Sequence, residues 1–396
     1  MIDLTGRVET LIERQEDMLG DAASSRAVTC TLRVSPDGSG ADGLSWRTAY
    51  QTIQAALDAA STDANECTLI LVAPHATFYD INTTGDPTWT GNYDIRGTHR
   101  IWAPIRNNHA SATSVLNFSG KVSITDLAIF TEDSVNGVCF SSSGWRIRKC
   151  GFNSTGLTGA ATSVHIDGSG ALTRGGIMEG VQFIGHATHT TFIHIEQSTV
   201  NEFYDVKMHT ALNGVLITDS DSDYNYFDKV DIGECGIGLN IDAGNEQHFR
   251  HITFHDNTVN VDDEVGNHRW DYIEGDLPIT IYPDNLTGIT VAANAAADLW
   301  GTNTSIRAAG VATKPFRVLS VICQPVVAQL HHLRLSPDAG TSHFDQISVE
   351  SARGIANPSP AGTGYIFNYN TPISGSLKAA SGGSDEMQVW LKIQEI

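Results

Sequence analysis

The most regular feature of the chain is a run of apolar, two variable, apolar, one variable, apolar positions that recurs down its middle. It reads at Ile124/Leu127/Ile129, Ile147/Cys150/Phe152, Met178/Val181/Phe183, Phe203/Val206/Met208, Phe227/Val230/Ile232 and Phe249/Ile252/Phe254, and Trp270 and Ile273 continue it. The central positions lie 23, 31, 25, 24, 22 and 21 residues apart. A period of this size marks stacked repeats, none of which can bury its apolar face alone. A second apolar strand accompanies the copies, at Val164 and Ile166, Ile193 and Ile195, Val215 and Ile217, Ile237 to Ile241, and Val259 and Val261. Inward residues of one coil then stack on those of the next, with ~4.8 Å between neighbouring strands. The pattern predicts an all-β solenoid. The 31-residue interval, rich in Gly, Ser and Thr, predicts one coil with an extended loop.

Ahead of the repeats stands SPDGSGADGLSWRTAYQTIQAALDAA, Ser35 to Ala60. Its glycines and aspartates predict successive turns, after which Ser45 or Thr48 caps a helix over about 48–60 whose Tyr50, Ile53, Ala56, Leu57 and Ala60 share one face. A strand, CTLILVAP, follows from Cys67. Turn, helix and strand in this order resemble the N-terminal start of right-handed parallel β-helix proteins of the pectate-lyase-like class, and in particular of phage tailspikes and virion fibres. The resemblance implies that the helix caps the open end of the coil and that residues 28–283 form the β-helix.

Beyond Tyr282 the period stops. Alternating strands, FRVLSVICQPVVAQLHHLRLS, GYIFNYN and MQVWLKIQEI, predict a C-terminal antiparallel β-sandwich of jelly-roll type over 284–396. At the other end, residues 1–24 place Leu4, Val8, Leu11, Gln15 and Met18 at alternating spacings of four and three. This fits either a short trimeric coiled coil or one amphipathic helix lying against its own domain.

The 396 residues carry 24 basic and 45 acidic side chains, a net charge of −21. Such a charge repels phosphate backbones and anionic headgroups, so nucleic acid is excluded as a partner. No apolar stretch approaches the ~18 residues of a membrane span. The charged first residues do not read as a secretory signal, so synthesis in a cytoplasm without a signal peptide is expected. Cys30, Cys67, Cys139, Cys150, Cys235 and Cys323 lie far apart and read as reduced, mostly buried thiols.

Where the β-helix family catalyses a reaction, it uses carboxylates on the outer wall. Here the second strands end in acids: HID at Asp167, HIE at Glu196, ITD at Asp219, NID at Asp242 and VDD at Asp262 and Asp263. In register they form a column whose spacings of ~5 and ~10 Å bracket those of retaining and inverting glycosidases. Glu196 and Asp219 are the candidate catalytic pair, with Asp167 and Asp242 as neighbours; the competing readings are that each Asp merely caps a turn or that the acids bind a cation. His165 and His194 fall on the exposed faces of their strands. DSDSDY, Asp219 to Tyr224, reads as a solvated turn, because it lacks the glycine and terminal glutamate of a calcium loop. The doublet His331/His332 is weak evidence for a metal, so neither metal nor cofactor is expected, and no basic catalytic surface of the pectate lyases can be matched.

The resemblance implies a homotrimeric virion protein acting at the host cell surface. The N-terminal helix would join it to other virion proteins and the shaft or sandwich would hold host polysaccharide. A polysaccharide depolymerase using the acid column, and a purely structural particle component, are the alternatives.

Overall fold

The computed structural model describes residues 28–275 apart from 82–87, 99–103, 108–112, 132–134, 155–160 and 266–267, and beyond 275 the strands given below. The chain divides into two compact units, Met1–Lys207 and Met208–Ile396. The N-terminal helix expected over 1–24 lies outside the described residues.

In the first unit one wall is a parallel stack of Val28–Val34, Cys67–Val72, Tyr93–Gly97, Val122–Thr125, Arg146–Arg148, Ile177–Glu179 and Glu202–His209. Beside it runs a second parallel column, Tyr79–Asp80, Pro104–Arg106, Ala128–Phe130, Gly151–Asn153 and Gln182–Ile184. The opposite wall is Thr88–Trp89, Ser114–Phe118, Asn136–Phe140, Thr162–Asp167 and Thr191–Glu196, again all parallel. Each chain turn therefore adds one strand to every wall, which is a parallel β-helix. The inward columns are apolar ladders: Ile70, Ile95, Ile124, Ile147, Met178 and Phe203 are register partners and all are buried.

The backbone explains why the repeat has two variable positions and then one. Side chains of a straight strand alternate, so Ile124 and Leu127 would face opposite sides. The residue between them, Asp126, takes φ 54°, and Lys149 and Gly180 take 51° and 64° at the equivalent place. This left-handed residue turns the chain from one wall into the next and returns the following apolar side chain to the interior. The second unit repeats the device with Lys229, His251 and Tyr272 at φ 56°, 49° and 55°.

One helix, Ile53–Ala59, is present among the described residues, and it buries Ile53, Ala56 and Leu57. Its N-cap is Thr52, whose side chain accepts from the Ala55 N–H at 3.1 Å. It thus starts later than the sequence predicts. Ser45 and Thr48 bond each other at 2.8 Å in the preceding turn, and Tyr50 lies outside the helix with its ring over Gly43. The helix packs against the first two strands, where the coil begins.

The predicted loop of the long coil is present in part. After Asp167 the chain leaves the wall, and Thr173–Arg174 pairs with Ser198–Thr199 in a separate small sheet. On its return Gly176 lies under the Trp145 ring, where a Cβ would come within 1.9 Å of the indole.

The second unit stacks Tyr226–Gly233, His248–His255 and Arg269–Gly275 in one parallel wall and Asn213–Ile217, Ile237–Ile241 and Val259–Asp263 in the other. Phe227, Phe249 and Trp270 are register partners whose rings stack at 5.0 and 4.4 Å. The last coil of the second wall breaks the apolar ladder, since Asp263 takes the position of Ile241 and faces His268 at 3.3 Å, both side chains fully buried.

Antiparallel pairing then replaces parallel pairing. Ile279–Tyr282, Ile289–Ala292, Phe316–Pro325, Gly354–Ala356, Ile366–Phe367 and Glu386–Glu395 form one sheet. Thr304–Arg307, His331–Ser336, Asp345–Val349 and Ile373–Ala379 form another. Val389, Leu391 and Ile393 are buried at alternate positions of one strand, and Leu333 and Leu335 at alternate positions of another, where Leu377 is the register partner of Leu333. The first of these strands precedes the 283/284 boundary drawn from the sequence.

The cysteines are thiols, although fewer are buried than the sequence suggests. Cys150 and Cys235 are buried, while Cys30, Cys67 and Cys139 are half-buried. Burial pushes the Cys150 thiol up to about 12, so it is an inert packing group. The side chain of Cys323 lies outside the described residues.

Candidate functional site

The inward columns of the second wall fix what its outer face presents. In the first unit Leu116, Val138, Val164 and Ile193 face inward in register. Strict alternation then places Asn117, Cys139, His165 and His194 one residue later in an outward column, and Thr88 pairs with Asn117 at its head. A groove of about 260 Å³ runs along this column, with Asn136, His165 and Asp167 among its lining residues. Its polar groups are held in place. Asn117 Nδ2 donates to Thr88 Oγ1 at 3.1 Å, and Asn136 Oδ1 accepts from the Thr162 N–H of the next coil at 2.8 Å.

At the end of the groove Asp167 and Glu196 are register partners on adjacent strands. Of the acids predicted to form a column, these two are brought together in the first unit. Glu196 Oε2 lies 3.2 Å from His165 Nε2, and the rings of His165 and His194 stack at 4.6 Å with an interplanar angle of only 4°. The histidines face outward, as the sequence suggests, and there they are half-buried and engaged with each other and with Glu196. Burial, and then the neighbouring His165, push His194 down to about 4, so it is neutral at pH 7. Asp167 is held below the usual carboxylate range: burial acts upward, but bonds from Ser169 and the two histidines outweigh it. Its Oδ1 accepts from the Ser169 N–H at 2.8 Å, so the turn-capping role read from the sequence is also in place. His165, His194 and Glu196 each offer a ligand atom within 4.8 Å of the others.

The remaining predicted acids lie in the second unit. Asp219 stands two residues beyond Ile217, in the turn, where Oδ1 accepts from the Asp221 N–H at 2.8 Å and the carbonyl accepts from the Ser222 N–H at 3.0 Å. Asp223 in the same DSDSDY segment accepts from the Asn245 N–H at 2.6 Å and ties this turn to the next. Asp242 is exposed at its strand end, and partial burial together with Asp262 raises it above the ordinary carboxylate range. Asp262 pairs with Asn240 and Asp263 with Ile241, so VDD does not continue the acid column in the register expected. Its second acid points inward because Asp263 lies two residues beyond the inward Val261 and so falls on the same face of the strand. The strand His331–Ser336 is described, but the side chains of His331 and His332 are not.

Sequence reasoning missed the upper part of the groove. Thr88, Asn117 and Cys139 lie on strands ahead of Val164 and Ile166, the first strand of this wall recognised in the sequence, and their side chains carry no motif. The signal that could have found them is the alternation in SVLNF and NGVCF, which places Asn117 and Cys139 outward.

No family model matches the chain, and no curated protein matches it. Solved structures do. Tailspike protein 2 of an Escherichia coli O157:H7 bacteriophage is 8% identical, with a TM-score of 0.33, over 86% of this chain and 68% of that one. A glycan biofilm modifying enzyme of Pantoea stewartii, with a tailspike-like parallel β-helix fold, is 9% identical with a TM-score of 0.30 over 81% of this chain. The match spans 54%, about half, of that enzyme's length. A tailspike of an Acinetobacter baumannii bacteriophage, a capsular polysaccharide depolymerase, is 8% identical with a TM-score of 0.25 over 92% of this chain and 84% of that one. No described helix is long and apolar enough to cross a membrane. The fold of the chain follows from its own strand pairing: it is a parallel β-helix followed by antiparallel sheets.

Proposed function

We propose that the chain is a tailspike- or fibre-type virion protein that attaches to host surface glycan through the groove on the second wall. The observation that carries this reading is the outward column Thr88, Asn117, Cys139 and His165 ending at Asp167. Hydroxyl, amide and imidazole groups on stacked passes of one wall, with a carboxylate two residues along the strand from the imidazole, match the donors and acceptors of a sugar chain, and a rigid wall holds them with little ordering cost on binding. In this reading residues 1–24 join the particle, residues 28–283 are the shaft, and residues 284–396 support a homotrimer or a receptor contact.

The test is adsorption of the isolated chain to candidate hosts and its binding to their purified surface polysaccharides. Asn117→Leu and Asp167→Asn should each weaken binding at least about tenfold, the loss of one well-placed polar contact. Parent protein that binds no surface glycan, or variants that bind as well as the parent, would overturn the reading.

The register pairing of Asp167 with Glu196 favours a second reading, depolymerisation. Adjacent strands separate two carboxylates by ~5 Å, close to the retaining geometry. Glu196 is the proposed catalytic acid, with Asp167 beside it and Asp219 and Asp242 as the carboxylates of the second unit. New reducing ends or unsaturated products from host glycan, lost in Glu196→Gln or Asp167→Asn, would establish it; binding without products would leave attachment alone.

A further inference from the structure

A second cluster lies on the other wall, in the second unit, and plays no part in the groove. His209, Asp231 and His255 come from three successive passes of the chain, and each offers a ligand atom within 4.8 Å of the other two. His255 Nε2 already lies 2.9 Å from Asp231 Oδ1. The rings of His209 and His255 are 5.2 Å apart and inclined at 42°, so they do not stack in parallel.

The approach depends on a glycine. His255 is the register partner of Gly233, and the Thr210 N–H donates to the Gly233 carbonyl, which places the pass carrying His209 on the far side of that glycine. Two histidines separated by two strand spacings would stand ~9.6 Å apart at the backbone. The His255 ring leans over Gly233, where a Cβ would lie 1.8 Å from Cε1, and so reaches toward His209.

We propose that His209, Asp231 and His255 form a binding site for a divalent transition metal of the zinc type. Two imidazoles and one carboxylate are a donor set that suits zinc and leaves a position for water. Ligands ~2.0–2.1 Å from a tetrahedral ion stand ~3.3 Å from each other, so the His255–Asp231 pair opens by only a few tenths of an ångström. The ion fastens three coils at one point of the wall. Sequence spacing hides the site, because its ligands are 22 and 24 residues apart and share no motif. The His165, His194 and Glu196 group is the weaker candidate, since its imidazoles lie parallel.

The test uses the full chain at pH 7.5, with Zn²⁺ in calorimetry and Co²⁺ in visible absorption. One ion per chain and a tetrahedral Co²⁺ band are expected, with a rise in melting temperature on adding Zn²⁺. His255→Ala should abolish the band, and Gly233→Ala should do so with every ligand still present. A double His165→Ala/His194→Ala variant should bind as the parent does. Circular dichroism without metal checks that each variant is folded. No stoichiometric binding by the parent, undiminished binding by His255→Ala, or loss only in the double variant would overturn the proposal.

Discussion

Lowering the pH should weaken the fold through two histidines of the first unit held neutral, His189 in the interior and His194 half-buried on the outer face. His189 is fully buried; its Nε2 lies 3.0 Å from Ser163 Oγ and its ring packs at 5.1 Å from Phe192. Burial pushes its pKa from 6.5 down to about 4, outweighing a backbone contact at Thr191, and His194 falls to about 4 as well. The unfolded chain takes up a proton on each below about pH 6.5, while the folded chain does not until about pH 4. Their contribution is therefore complete above 6.5 and is lost as pH falls toward 4. For one such group the loss between pH 7.5 and pH 5 is about 2 kcal/mol, and for both about 4 kcal/mol. Urea unfolding monitored by tryptophan fluorescence at pH 7.5, 6, 5.5 and 5 measures it. His189→Gln, a neutral residue of similar size, should cost stability at pH 7.5 but flatten the dependence on pH by about half. Equal stability of the parent at pH 7.5 and 5, or an unchanged slope in His189→Gln, would refute the argument that these imidazoles are buried neutral.

Three further outcomes test the architecture. Phe249 is fully buried between Phe227 and Trp270, so Phe249→Ala should cost about 3–5 kcal/mol in denaturant unfolding, and Phe249→Leu less. Lys229 holds a left-handed corner with an exposed side chain; Lys229→Gly should be neutral or stabilising, whereas Lys229→Val should destabilise by about 1–2 kcal/mol in the same assay. Thr52→Ala removes the helix N-cap and should cost about 1 kcal/mol, read as a lowered melting temperature.

The solenoid was legible because a β-helix writes its period into the chain. Each coil must supply inward apolar residues at the same places, so Ile124, Ile147, Met178 and Phe203 recur whatever the loops between them do. The gap of two inside the repeat was equally visible, but its cause was not. Asp126, Lys149, Lys229, His251 and Tyr272 share no chemistry, and only the backbone reveals that each is a left-handed corner. The helix start was misplaced for a related reason. Ser45, Thr48 and Thr52 are all competent caps, and the first two are taken up by a turn that is bonded to Arg33 of the strand Val28–Val34.

Residue order thus determined the all-β class, the coil period, the change to antiparallel strands and the acids at Asp167 and Glu196. Tertiary structure decided which side chains meet. Register depends on how each coil seats on the one below, and a difference of one residue separates the paired Asp167 and Glu196 from the inward Asp263 and from Asp219 in its turn. The meeting of His209, Asp231 and His255 is of the same kind. Nothing local in the sequence joins residues from three coils; stacking at a fixed strand spacing, and the space left by Gly233, bring them together.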